Sequence, residues 1–216
     1  MSIQDQPDLP ALFAPADLRL WVPSQVQPVL DAKRLLDIAV SLAAVLFLLP
    51  LLSLIAIAVA LDSRGPVLFC QRRRGRNGEI FGILKFRTMR VLEDGADVVQ
   101  ARKHDDRITR VGRVLRATSL DELPQLINVL KGEMSLVGPR PVTATELAAN
   151  YGAAAEHYQL VRPGITGPWQ VSGRSETSYD RRVALDVAYA TQPSLVTDIR
   201  LLLATPAAVL LRRGAY

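Results

Sequence analysis

The hydropathy pattern is dominated by one apolar run over 38–61, IAVSLAAVLFLLPLLSLIAIAVAL, 24 residues without a charge. About 20 apolar residues suffice to cross a hydrocarbon core ~30 Å thick, so the run predicts a membrane segment. A core helix would keep a polar face, and none survives here at helical spacing. Two features argue against a simple span. Lys33 and Arg34 precede the run, and Arg64, Arg72, Arg73, Arg74 and Arg76 follow it. The positive-inside rule therefore draws both flanks to the same side. Pro50, at the midpoint, removes a backbone donor and disrupts a helix. The expectation is a re-entrant hairpin over 31–64, broken at Pro50 into half-helices of about 12 residues and ~18 Å each. A straight span is the alternative.

Past the run the pattern changes period. Residues 67–71 and 80–86 are β-rich, and Asn77-Gly78 between them is a hairpin turn signal. The basic run from Arg72 to Arg76 reads either as a contact for anionic lipid headgroups or as a solvated turn. Residues 93–106 are polar and read as a loop or short helix. Helical spacing marks 108–116, through Ile108, Val111, Val114 and Leu115, and 123–130, through Leu123, Leu126, Ile127 and Leu130. Further helices are expected over 144–160 and 179–190, with a Gly/Pro-rich loop over 163–173. The apolar stretch 195–211 is interrupted by Asp198, Arg200 and Pro206, which favours a packed or interfacial helix over a second span. Residues 1–30 hold five prolines and no sustained period, so they read as a loose arm; the basic and apolar regions of a signal peptide are missing. The expected fold class is α+β and mostly helical: a re-entrant membrane hairpin with interfacial helices and a small β-hairpin around one site.

Composition narrows the partners. With 216 residues the chain can bury a core without disulfides or a structural metal. A single cysteine, Cys70, and two histidines argue against a zinc site and point to a reducing compartment. A net charge of +5 and a pI near 9.7 suggest anionic partners: nucleic acid, acidic lipid or phosphorylated small molecules. Aromatic content of 6%, without basic–aromatic interleaving, argues against nucleic acid.

Candidate chemistry sits in SLDELPQLINVLKGEMSLVGPRP, residues 119–141. Ser119-Leu120-Asp121-Glu122 fits a capping box, and capping alone would explain both carboxylates. Pro124 complicates that register, because with Ser119 as cap it falls at the fifth helical position. With Asp121 as cap, Pro124 lies in the tolerated first turn. Arg116 precedes the pair by five residues, and Arg140 lies between Pro139 and Pro141, which restrict its backbone. A carboxylate can attack phosphorus only where the phosphate charge is neutralised, so an Asp, a second carboxylate for a divalent cation and two arginines form a coherent set. Spacing alone leaves capping and catalysis both open.

A resemblance bears on that choice. KRLLDIAVSL, GPVLFCQRRRGRNGEIFGILKFRTM, DRITRVGRVLRATSLDELPQLINVLKGEMSLVGPRP, VRPGITGPWQVSGR and the terminal RGAY follow one another in the order of the bacterial sugar transferases. These are monotopic polyprenyl-phosphate sugar-1-phosphate transferases. The chain resembles the compact exopolysaccharide-priming type from Lys33 to Tyr216. The resemblance implies a catalytic domain over 65–216, facing the cytoplasm from the bacterial inner membrane. It implies Asp121 as nucleophile, Glu122 as a Mg²⁺ ligand, and Arg116 and Arg140 as phosphate-binding groups. Lys85, Arg87 and Arg174 are candidates for substrate or lipid contacts. The implied substrates are UDP-galactose or UDP-glucose and undecaprenyl phosphate, with UMP released and a phosphosugar-aspartyl intermediate formed. Membrane lipids are implied partners, and a homodimer is left open. The family often has Ser-Pro at the helix break, where this chain has Leu49-Pro50. A different class, a non-catalytic membrane scaffold that recruits assembly enzymes, would have no need of a nucleophile.

Overall fold

The computed structural model describes residues 23–90, 105–173 and 178–210. The first helix, α1 (Pro23–Asp62), is followed by an antiparallel hairpin of β1 (Leu68–Arg74) and β2 (Ile80–Phe86). Next come α2 (Arg110–Thr118), a 3-10 turn over Leu120–Glu122, α3 (Gln125–Lys131) and β3 (Ser135–Val137). The short helices α4 (Ala144–Asn150) and α5 (Ala155–Tyr158) lead to β4 (Gly164–Thr166) and α6 (Pro168–Val171). Two longer helices, α7 (Tyr179–Thr191) and α8 (Leu195–Leu210), complete the described chain. The fold is mostly helical α+β, as the pattern predicts.

The hairpin forms where it was expected. Asn77 and Gly78 both take positive φ, 56° and 76°, the backbone that a tight turn between twisted strands requires. β1 runs three residues beyond its expected end because Arg73 and Arg74 find partners. Arg74 donates to the Gly78 carbonyl at 2.9 Å, and Arg73 lies 3.6 Å from Glu146. These two arginines are tied to the protein, while Arg72 of the same run is exposed. The expected helix over 144–160 is broken at Tyr151-Gly152, where Gly152 takes φ +48°. β3 and β4, a parallel pair that aligns Ser135 with Gly164 and Val137 with Thr166, escaped the pattern because three residues carry no readable period. Of the residues read as a loose arm, 23–30 are helical, while 1–22 lie outside the described residues, as do 93–104 of the expected polar loop.

The apolar run does not behave as a core helix. Ten of its large apolar side chains, from Ile38 to Leu61, are uncovered, with Phe47 84% and Leu61 83% exposed. Leaving each in water forgoes about 1.5–3 kcal/mol, which a bilayer would supply. Pro50 does not end the helix, so the expected pair of half-helices is corrected to one continuous α1. A proline removes the bond to the Leu46 carbonyl and its ring crowds that carbonyl, which bends a helix without having to end it. Ser53 Oγ donates to the Leu49 carbonyl at 2.9 Å, a back-bond of the kind that accompanies bending rather than termination.

Both ends of α1 dock on the same body. At its start, Lys33 pairs with Asp198 at 2.6 Å, Asp37 accepts the Leu136 amide at 3.0 Å, and Arg34 caps the Val129 and Leu130 carbonyls of α3. Leu36, Ala44 and Val45 then pack on the main core of Leu126, Val129, Met134, Leu136 and Tyr189. At its end, Ile55 and Val59 pack with Phe86 and Leu115, and Asp62 accepts the Val111 amide at 2.9 Å. Arg87 belongs here as well. Its guanidinium is buried and donates to the carbonyls of Val59, Ser63 and Pro66, satisfying groups that the helix end leaves open. That corrects the expectation of a substrate or lipid contact, since the side chain is consumed in holding α1.

Candidate active site

Thr109, not Ser119, caps a helix in this region: its hydroxyl accepts the Gly112 amide at 2.9 Å at the start of α2. Ser119 instead ends α2, in the left-handed region at φ 57°, with its amide on the Arg116 and Leu115 carbonyls. The chain then tightens into the 3-10 turn that carries Asp121 and Glu122, and Pro124 takes the position before α3 without any side-chain cap. Neither capping register holds. Asp121 is 8% exposed, in a turn that makes no use of its carboxylate as a cap.

Burial pushes the Asp121 carboxyl up to about 6, and the charge of Glu122 adds to the rise, while Lys85 and Arg116 pull it down. The sign of the consequence is fixed. Between the ordinary value of 3.8 and about 6 the folded state holds a proton that the unfolded chain has lost. The protonated group is therefore favourable at low pH, and that contribution disappears as pH rises through about 6. Above it, wild type carries a buried carboxylate costing roughly 3 kcal/mol. In EDTA, Asp121→Asn is expected to melt above wild type at pH 7.5, with the gap closing toward pH 5; an unchanged gap would show that Asp121 does not titrate in this way.

The surroundings are built by three elements. Lys85, on β2, reaches Glu122 Oε1 at 2.6 Å. The strand is registered on α3 by Asn128, whose Nδ2 donates to the Gly82 carbonyl at 2.8 Å and whose Oδ1 accepts the Leu84 amide at 2.9 Å. Arg140 NH1 lies 3.9 Å from the same Glu122 oxygen. The Arg140 backbone is fixed on both sides. Gly138 donates to Thr166 at 2.9 Å, Gly164 donates to the Pro139 carbonyl at 2.8 Å, and Tyr158 OH accepts the Val142 amide at 3.3 Å. Glycine is required in this weave: a Cβ on Gly167 would stand 2.0 Å from the Gly138 oxygen, and one on Gly164 2.1 Å from the Gly138 nitrogen.

A cavity of about 390 Å³ opens over the turn. Its lining holds charged side chains, Lys85, Arg116, Asp121, Glu122 and Arg140, together with apolar ones, Leu120, Leu123, Leu126, Ile165 and Trp169, and Thr205 and Val209 of α8. Of the residues singled out in the sequence, Asp121, Glu122, Arg116, Arg140 and Lys85 are brought together here. Arg87 is not, and Arg174 lies outside the described residues. Sequence reasoning missed Trp169, whose ring lines the cavity 5.5 Å from the Arg140 guanidinium, and the α8 residues. A tryptophan inside a Gly/Pro-rich loop was the available signal for the first; nothing in the apolar periodicity of 195–211 pointed to the second.

A carboxylate held in a cavity among three basic side chains fits transfer chemistry on an anionic phosphorus centre. The family model described as bacterial sugar transferase matches residues 29–212. The chain belongs to the bacterial sugar transferase family. It is 44% identical over 202 residues to an exopolysaccharide production protein, ExoY, of Sinorhizobium fredii, covering 86% of this chain and 88% of that one. It is 48% identical over 192 residues to a UDP-glucose:undecaprenyl-phosphate glucose-1-phosphate transferase of Caulobacter vibrioides, covering 85% and 72%. It is also 43% identical to an undecaprenyl-phosphate galactose phosphotransferase of Salmonella typhimurium, of which it covers 41%. In this sugar transferase charged and apolar side chains line one cavity around a carboxylate pair.

Proposed function

We propose that this sugar transferase moves a hexose-1-phosphate, glucose or galactose, from a UDP-sugar to undecaprenyl phosphate, in the priming step of exopolysaccharide assembly. The observation that carries the reading is the buried Asp121 carboxylate at a cavity lined by both basic and apolar side chains. The basic side chains suit the phosphates of a nucleotide sugar, and the apolar ones suit the hydrocarbon of an isoprenoid. The relatives named as glucose- and galactose-phosphate transferases support this substrate class.

In the reaction an Asp121 oxygen attacks the sugar-bearing phosphorus. The bond from that phosphorus to the bridging oxygen breaks, and UMP leaves with the oxygen. The aspartyl phosphosugar then passes its phosphorus to an oxygen of undecaprenyl phosphate, and the Asp121 carboxylate is released. Two steps let a water-soluble and a lipid substrate use one site in turn. Arg116 and Arg140 would hold phosphate oxygens, Arg140 through a guanidinium whose backbone is fixed before substrate arrives.

Glu122 also suits a Mg²⁺ ion. Its carboxylate already attracts Lys85 and Arg140, and one or two carboxylates with substrate phosphate oxygens are the donors Mg²⁺ takes. Among the described residues no group of three or more candidate ligands exists, so the substrate would have to complete the shell. When bound, the ion neutralises phosphate charge. A cation at Glu122 also pulls Asp121 lower, so the acid limb of activity is expected at or below about pH 6.

The reading is tested by UMP release from a panel of UDP-sugars with undecaprenyl phosphate. Release with one preferred hexose supports it; a correctly folded protein that releases no UMP from any donor supports the scaffold instead. A re-entrant, monotopic placement is proposed on the ground that both ends of α1 dock on one body. Tags at residue 30 and residue 216 are then both expected to report the cytoplasm, and a periplasmic signal from either would overturn that topology.

A further inference from the structure

We infer that Arg182 is a positioning residue for Arg140, acting through the ring of Trp169. The inference rests on the reading of Arg140 as a phosphate-binding group. Arg182 lies on α7 with its side chain only 7% exposed, too deep to meet a substrate in the cavity. Its guanidinium stands 4.7 Å from the Trp169 ring centre and 5.0 Å from the Tyr179 ring centre, both within reach of a cation–π contact. The charge is answered by Glu146, whose Oε1 accepts from Arg182 at 2.9 Å and from Tyr179 OH at 2.8 Å. Asp186 adds a carboxylate oxygen at 3.9 Å.

The ring so held is the one that carries Arg140, 5.5 Å from its centre. Arg140's ion pair with Glu122, at 3.9 Å, is too long to fix the plane of its guanidinium, so the ring supplies the remaining constraint. Fixing the backbone at Gly138, Gly164 and Gly167 sets where Arg140 starts; the ring sets where its fork ends. Burying an arginine with a glutamate is a weak way to stabilise a core, and its better-attested use is to specify one geometry. A fork misplaced by an ångström can cost about a hundredfold in rate, so a buried residue can matter here without touching substrate.

The test is a double-mutant cycle on the full-length protein in lipid nanodiscs, read by UMP release. Arg182→Lys keeps a positive charge opposite Glu146 but loses the planar group that stacks on Trp169. It is expected to lower kcat/KM for the UDP-sugar about tenfold or more, and to cost less than about threefold further in an Arg140→Lys background. Trp169→Leu is expected to follow the same pattern, and Trp169→Phe, which keeps a ring within reach of both guanidinium groups, to recover most of the loss. Should Arg182→Lys fail to fold, the Trp169 variants carry the cycle with the same outcomes. Losses that simply multiply across the cycle, or near-normal turnover in Arg182→Lys and Trp169→Leu, would overturn the inference alone. Normal turnover in Arg140→Lys would overturn the underlying assignment of Arg140 as well.

Discussion

Asp121→Asn is expected to fold, bind to membranes as wild type does, and lose UMP release by on the order of 10⁴-fold or more. The size of that effect follows from what the substitution removes. Asn has nearly the shape of Asp, and the turn over Leu120–Glu122 asks nothing of the carboxylate as a cap. Folding therefore loses no cap, and at neutral pH the relief of a buried charge outweighs the lost attraction of Lys85 and Arg116. Chemistry loses everything, because an amide cannot form the acyl phosphate. A capping role would predict the reverse balance, with activity falling only as far as stability falls. Melting temperature and initial rate measured on the same preparation separate the two.

Arg140→Lys is the second large effect, expected to reduce turnover about ten- to hundredfold, equivalent to the ~1.5–3 kcal/mol of one charge-assisted bond. Lysine keeps the charge but presents a point rather than a planar fork, and so cannot span two phosphate oxygens. The Pro139–Pro141 frame and the backbone bonds from Gly138 and Gly164 remain in place, so the loss cannot be assigned to a displaced loop. Turnover near wild type would reduce Arg140 to a structural part of the wall. Comparison with Glu122→Gln is informative: that variant is expected to recover partly as Mg²⁺ is raised, whereas Arg140→Lys is not.

Much of this site was legible because its residues are close in sequence. Arg116, Asp121, Glu122 and Arg140 fall within 25 positions, and the helix signals around them fixed α2 and α3 to within two or three residues. The contribution of Lys85 could be named but not understood, since its distance to Glu122 depends on Asn128 joining β2 to α3 across the fold. Arg87 was misread for the same reason. An arginine two residues from a lysine in KFRTM looks like a substrate or lipid contact, and only the packing at the end of α1 shows that its two terminal nitrogens donate to the carbonyls of Val59, Ser63 and Pro66. The capping box failed because S-x-x-E records side-chain types, whereas the left-handed turn at Ser119 is dictated by the termination of α2. At Pro50 the local rule was right about a lost bond and wrong about its reach. The loss is one bond in a 40-residue helix anchored at both ends.

The central claim is that Asp121 takes the sugar phosphate before the lipid does. Intact-protein mass spectrometry after brief exposure to the preferred UDP-sugar, with no lipid acceptor present, tests it directly. Wild type is expected to gain the mass of one hexose phosphate and to lose it when undecaprenyl phosphate is added, while Asp121→Asn gains nothing. An adduct of the same mass on Asp121→Asn, or UMP released by that variant at the wild-type rate, would contradict the account and place the nucleophile elsewhere.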